Sequence, residues 1–481
     1  MENNNVKNKV LSGLIWKFME RMSSQLVTFV VSIVLARLLD VASYGAIAIV
    51  NIFISLSNVF VVSGFSSSLI QKKDSDDLDF SSAFYFNIAF GVALYFVIYI
   101  CAPVIASFYN LEILKDVLRF MGLNIIIVSA NSVQQAYVSK HMLFKKFFIS
   151  TFGATLVSGI EGIIAAYCGM GIWALALQYT LNTLLATIIL WFTVKWRPKF
   201  IFSIKSVGRL FSYGWKLLLS SLLDTGANEI RSLIIGKMYT STILAFYNKG
   251  KSFPSLVVTN IDSSIQSVLF PAISSVQDDK ESVKAMTRRS IRVSSFIMFP
   301  LMVGLAFVAR PFINLLLTEK WLGCVIYLQI YCFIYAFMPI HTSNLQAIKA
   351  MGRSDIYLKL EIIKKIIGIS SLLISMRYGV LAIALSAVIN TIISSFINAF
   401  PNKKLINYGY TEQVKDLLNG ILPLSMMAVG VYLVGRLPVA DFPLMIIQIL
   451  VGVVLYIVVS FVSKNESFNY VLSILKGFIR K

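Results

Sequence analysis

Residues 11–37 read LSGLIWKFMERMSSQLVTFVVSIVLAR, long and apolar enough to cross a bilayer, yet with Lys17, Glu20, Arg21, Gln25, Thr28 and Ser32 inside. A helix turns ~100° per residue, so steps of three and four return to one face and align Arg21, Gln25, Thr28 and Ser32 in a single polar stripe. Charged groups in hydrocarbon cost several kcal/mol unless they face protein or a hydrated cavity. The stripe therefore predicts a membrane span with one side turned to an internal cavity.

The rest of the chain agrees in character. Of its 481 residues 57% are hydrophobic and 14% charged, with a mean hydropathy of +0.77, outside the range of ordinary soluble domains. Apolar runs of about 20 residues recur with short polar breaks, the pattern of α-helical spans and not of outer-membrane strands. The fold class predicted is an all-α polytopic membrane protein. Spans fall near 12–36, 44–70, 81–108, 114–139, 148–168, 171–194, 210–235, 243–273, 289–316, 323–350, 356–376, 379–400, 415–435 and 442–463, about fourteen in number. The first is too long for a signal-peptide core and lacks a small-residue cleavage site, so it is expected to be retained.

The net charge of +20 has its explanation in where the cations fall. With both termini on one side, roughly three quarters of the 43 basic residues gather on that side, the cytoplasmic one by the positive-inside rule. Nucleic acid is not needed to account for them. Cys101, Cys168, Cys324 and Cys332 lie in apolar runs without metal-ligand spacing. Neither GxxxxGK[ST] nor HExxH occurs, and His141 and His341 are the only histidines, so no catalytic residue, metal or cofactor is predicted. Asp77-Leu-Asp79 in the run DSDDLD matches the DxD of metal-dependent glycosyltransferases but, beside Lys72 and Lys73, reads as a solvated turn.

An internal repeat sets the domains. Trp16-Lys17 returns as Trp215-Lys216, Ala102-Pro103-Val104-Ile105 as Arg310-Pro311-Phe312-Ile313, Gln135-Ala136 as Gln346-Ala347, and GIWALA (171–176) as GVLAIA (379–384). The near-constant offset of about 200–210 residues defines two six-helix lobes, residues 1–200 and 201–405. Residues 406–481 add two spans and a tail. Even-numbered halves give parallel repeats about an axis along the membrane normal, with a substrate site expected between them.

The repeat predicts stripes on corresponding helices, and they are present. Ser221, Asp224, Asn228 and Arg231 answer the first stripe. Asn51, Ser55 and Asn58 on the second span are answered by Asn248, Ser252, Ser255, Thr259, Asp262 and Gln266. Hydroxyls and carboxamides at this density suit a sugar, and Arg21 and Arg231, with Lys17, Lys249 and Lys251, suit a phosphate or diphosphate. The candidate cavity set is Arg21, Gln25, Thr28, Asn51, Ser55, Asn58, Asp224, Asn228, Arg231, Ser255, Thr259, Asp262 and Gln266. Glu20, Glu161 and Asp224 are candidates for ion coupling. The competing structural readings are helix–helix glue for single polar residues, ion pairs of Glu20 with Lys17 or Arg21 and of Asp224 and Glu229 with Arg231, and snorkelling of Lys249 and Lys251.

The segments GLIWKFMERMSSQ (13–25), LARLLDVASYGAIAI (35–49), GFSSSLIQKKD (64–74), AFYNKGKSFP (245–254), VLFPAISSVQDD (268–279), FPLMVGLAFVARPFINLLLTEKW (299–321) and QAIKAMGRSDIYLKL (346–360) resemble those of bacterial polysaccharide transporters. These are the Wzx-type lipid-linked oligosaccharide flippases of the multidrug/oligosaccharidyl-lipid/polysaccharide (MOP) superfamily, in its colanic-acid-like branch. The resemblance implies two six-helix lobes in a V around a central cavity, two added C-terminal helices and alternating access. It also implies the substrate, an undecaprenyl-diphosphate-linked oligosaccharide moved to the outer leaflet of the bacterial inner membrane. Membrane lipid, a polysaccharide polymerase and chain-length proteins are implied partners, and the family's basic cavity residues map onto Arg21 and Arg231. The alternatives are a cation-coupled multidrug exporter, a lipid II flippase and, with no large outer loop to support it, a membrane-embedded polymerase or ligase.

Overall fold

The computed structural model describes residues 2–72 and 74–479, and among these every regular element is a helix. Three hairpins come first: α1 (Glu2–Leu38) with α2 (Val41–Val62) and its continuation α3 (Phe65–Gln71), α4 (Asp77–Tyr109) with α5 (Ile113–Lys140), and α6 (Phe144–Tyr167) with α7 (Ile172–Thr193). After an extended linker come α8 (Ile204–Met238), α9 (Ser241–Ser274), α10 (Lys280–Phe307), α11 (Ala309–Leu317), α12 (Val325–Ala336), α13 (Met338–Ala350), α14 (Ser354–Ser375) and α15 (Val380–Ile406). The chain closes with α16 (Tyr410–Leu418), α17 (Ile421–Val434), α18 (Asp441–Val462) and α19 (Glu466–Ile479).

Local chemistry explains the boundaries. Asp40 caps α2 by accepting from the Ser43 N–H, and Asp76 and Asp79 form a reciprocal capping box at the start of α4. Asp279 caps α10; bonds from the Ser282 hydroxyl and from the Ser282 and Glu281 N–H groups hold its carboxyl below the usual range. Gly171 (φ +57°) and Gly379 (φ +102°) precede α7 and α15. Both adopt a backbone conformation that favours glycine, so the GIWALA and GVLAIA segments do the same structural work.

Among the described residues ten helical segments are long and apolar enough to cross a membrane, and α16 with α17, bent by 52°, make an eleventh if the pair is counted as one span. The helices α5, α8 and α14, of 28, 35 and 22 residues, reach crossing length but carry too many polar groups to pass on composition. Fourteen spans are compatible with this set. Four expected spans are broken: at Ser63 and Gly64 between α2 and α3, at Val308 between α10 and α11, at Asn419 and Gly420 between α16 and α17, and at Phe337, where Pro339 restarts the helix as α13. A Pro near a helix start costs nothing there because its missing N–H has no partner to lose.

Residues up to Ala245 pack as one unit and those from Phe246 onward as a second. In the first, α1 packs along α6, α6 on α7, α4 on α5, and α8 on α2, α3 and α4. The linker near residue 200 is therefore not where packing divides: α8 joins the first unit. In the second, α10 packs on α12, α13, α15 and α17, α14 on α15, α17 on α18, and α19 on α10.

Each unit has an apolar core at its loop-rich end. Phe65, Phe80, Phe84, Val133, Leu190, Trp196 and Leu210 form one, and Leu269, Val283, Ile291, Ile340, Ala347, Ile406 and Tyr408 form the other. Where a large apolar side chain is taken out of water, its burial yields the usual ~1.5–3 kcal/mol. At bilayer depth lipid tails remove that drive and close packing of small residues takes over. A Cβ on Gly159 would stand 2.5 Å from Val31 of α1, and one on Gly162 2.7 Å from Gln178 of α7.

Candidate functional site

The first stripe is presented by the way α1 docks. Trp16 lies 5.5 Å from Phe148, Thr151 donates to Glu20 at 3.3 Å, and Val31 fits against Gly159, so one face of α1 is spent on α6. Arg21, Gln25, Thr28 and Ser32 stand roughly a quarter-turn away. Arg21 and Thr28 are exposed, Gln25 and Ser32 half-buried. Beyond them Phe18, Met22 and Leu26 are exposed and apolar, a surface for lipid. Glu20 does not join the stripe: it pairs with Lys17 at 2.6 Å, its side chain 12% exposed.

α2 and α8 are antiparallel neighbours with fixed register. A Cβ on Gly45 would strike the Ser241 carbonyl at 1.8 Å, Gly236 lies against Ile49, and Gly214 against the Gly64 carbonyl. The Ser68 hydroxyl donates to the Leu210 carbonyl at 2.9 Å. Arg21 and Asn58 are each about 26 Å of helix from the turn joining α1 and α2.

Asn51, Ser55, Asn58 and Arg231 are half-buried, whereas Asp224 and Asn228 are exposed. The Oδ1 atoms of Asn51 and Asn58 and the Nε of Arg231 are buried without a hydrogen-bond partner among the described residues. Unsatisfied buried polar atoms are uncommon and call for an explanation. On α6, half-buried Glu161 has its Oε2 in the same condition.

In the second unit α9 behaves differently. Asp262 is buried, accepts from the Thr342 hydroxyl of α13 and from Gln266 Nε2 at 2.8 Å, and Gln346 reaches Gln266 at 3.4 Å. Thr259 is exposed and returns its hydroxyl to the Ser255 carbonyl at 2.8 Å. Lys249 lies between the rings of Phe253 and Trp321, at 5.8 and 5.7 Å.

Two readings of the sequence change. The DSDDLD run is not a solvated turn: Asp79 is 1% exposed, pairs with Lys72 and accepts from Ser206, while Asp77 pairs with Lys199 and accepts from Trp196. Both carboxylates are consumed by fastening the start of α4 to the linker and to α8. Second, the span expected at 356–376 is not purely apolar: within α14 Lys364 pairs with Glu361 at 2.6 Å. On neighbouring α13, His341 meets Asn398 at 3.1 Å. Two charges three residues apart within IYLKLEIIKKIIGISSLLIS were the available signal, since ionisable residues inside a span mark functional candidates.

Packed helical hairpins with polar-striped spans define a multi-pass helical membrane protein. Residues 34–326 match the family described as Polysaccharide biosynthesis protein. The chain belongs to this family. It is 23% identical to the lipopolysaccharide biosynthesis protein WzxC of Escherichia coli K12 over 90% of each chain. It is 24% identical to the teichuronic acid biosynthesis protein TuaB of Bacillus subtilis over 73% of each. Its fold matches the lipid II flippase MurJ in an inward closed conformation with a TM-score of 0.78 and 17% identity, covering 94% of this chain and 99% of that one.

Proposed function

We propose that the protein is a flippase for undecaprenyl-diphosphate-linked oligosaccharides, moving them from the cytoplasmic to the outer leaflet for assembly of O-antigen, capsule or exopolysaccharide. It works by alternating access of two repeated lobes, residues 1–200 and 201–405, with residues 406–481 as added helices, and performs no covalent chemistry. The setting is the bacterial inner membrane with both termini cytoplasmic, and polymerase and chain-length proteins are the downstream partners.

The observation that carries this reading is the set of buried, unpartnered Asn51, Asn58 and Arg231 atoms on α2 and α8, two helices that pack on each other. A glycan supplies hydroxyl donors for the two carboxamide oxygens, and a diphosphate supplies acceptors for Arg231 and Arg21. Gln25, Thr28, Asp224 and Asn228 complete the polar wall in the first unit. Glu161, whose Oε2 is buried without a hydrogen-bond partner among the described residues, leads the candidates for ion coupling, ahead of Glu20 and Asp224.

The test is complementation of a strain lacking the protein. Arg21→Ala at normal protein level is expected to abolish surface polysaccharide and to stop flipping of labelled lipid-linked oligosaccharide in proteoliposomes. Unchanged polysaccharide would make Arg21 a structural residue.

A further inference from the structure

A cleft of about 470 Å³ in the second unit is walled largely by charge. It lies between the first turns of α10 and the start of α19, lined by Lys284, Arg288, Arg289, Arg292, Glu466 and Tyr470. The four cations share one side of α10, returning at helical spacing. Each is held in place. Arg288 is gripped by Asp416 through two bonds of 2.7 and 2.6 Å, and Asp416 is itself buried and bonded by Tyr408 at 2.9 Å. Lys284 reaches Glu412 at 3.2 Å, the Arg289 guanidinium lies 5.0 Å over the Tyr470 ring, and Arg292 pairs with Glu466.

These restraints are unequal. Asp416 is a buried anchor, whereas the Glu466 side chain is 74% exposed, and exposed ion pairs contribute about 0–1 kcal/mol. An anion with more oxygens than a carboxylate can displace Glu466 from Arg292 and take the free N–H groups of Arg289 in the same step, since a guanidinium carries five donors. The remaining acid on the wall is Glu281, so cations outnumber carboxylates there.

The surroundings identify the source of that anion. α19 has 14 residues, too few to cross a bilayer. Its Ser467, Phe468, Val471 and Leu472 are half-buried while Glu466, Asn469, Tyr470, Ser473 and Lys476 are exposed, the division of a helix lying in the interface. Phe468 packs against Phe296 and Phe461, which fixes the start of α19 where α10 and α18 meet the basic side of the membrane. We infer that the α10–α19 cleft binds the phosphate headgroup of an anionic membrane phospholipid. This goes beyond the proposed substrate path and does not depend on it.

The test uses the full chain in nanodiscs of phosphatidylcholine alone or with about 20 mol% phosphatidylglycerol, read by native mass spectrometry and thermal melting. Inorganic phosphate and pyrophosphate are the soluble probes. Retained phosphatidylglycerol and a raised melting midpoint are expected for the unaltered chain, with retention about fivefold weaker in R289A/R292A and intermediate in R289K/R292K, which keeps charge but loses the fork. E466Q, which frees Arg292, is expected to strengthen retention about twofold. Equal retention by the unaltered chain and R289A/R292A overturns the inference. Stabilisation by millimolar phosphate or pyrophosphate equal to that by the lipid also overturns it, in favour of a soluble-anion site. Should R289A/R292A fail to fold, E466Q decides, and unchanged retention there rejects the site.

Discussion

α2 and α9 carry polar residues at the same helical spacing, yet they spend them in opposite ways. On α2 the carboxamide oxygens of Asn51 and Asn58 have no partner among the described residues. On α9 the carboxylate of Asp262 is closed into a network with Thr342, Gln266 and Gln346. Spacing marks a polar stripe in both. What separates a surface prepared for a ligand from one that fastens helices is whether the hydrogen-bonding capacity is already used. The two helices thus share a spacing but not its use.

The largest expected effect breaks the closed side. Asp262→Ala leaves the buried Thr342 hydroxyl without its acceptor, and bonds to charged groups contribute about 1.5–3 kcal/mol each. Stability should fall by roughly 2–3 kcal/mol, seen as a melting midpoint lowered by about 5–10 °C in detergent, and transport per folded molecule should change little. A drop in transport with no change in melting would place Asp262 among the substrate contacts and erase the difference between the two helices.

The opposite signature is expected on α2. Asn58→Leu removes a buried acceptor that has no partner, so stability should hold or rise by up to about 1 kcal/mol. Flipping of labelled lipid-linked oligosaccharide should fall about tenfold, the worth of one hydrogen bond to the glycan. Destabilisation by more than about 1 kcal/mol would show that Asn58 is helix–helix glue.

Much of this was legible in the chain. The all-α membrane fold follows from run lengths, the stripes from steps of three and four, and the equivalence of Gly171 and Gly379 from a repeated six-residue phrase. The closing of Asp262 was not legible, because its partner Thr342 lies 80 residues away and only the fold brings α13 against α9. The burial of Asp79 was hidden for the same reason: Ser206, 127 residues on, turns an apparent surface run into an anchor. Glu361 and Lys364 were within reach, since both fall inside the span expected at 356–376 and their spacing marks a helical pair. The break at Phe337 depends on Pro339 restarting a helix, which hydropathy averages over.

The smallest effect sharpens the comparison within α2 itself. Ser55 lies between Asn51 and Asn58 on the same stripe, and spacing alone treats the three as equals. Its hydroxyl, however, donates to the Ile52 carbonyl of its own helix at 3.0 Å, a local bond that a serine can make at any depth in a span. Its capacity is therefore already used, as that of Thr259 is on α9. Ser55→Ala should shift stability by less than about 0.5 kcal/mol and leave flipping within about twofold of the unaltered chain, the same response expected of Thr259→Val. A loss at Ser55 as large as at Asn58 would mean that stripe position, and not unused hydrogen-bonding capacity, decides which polar residues meet the glycan.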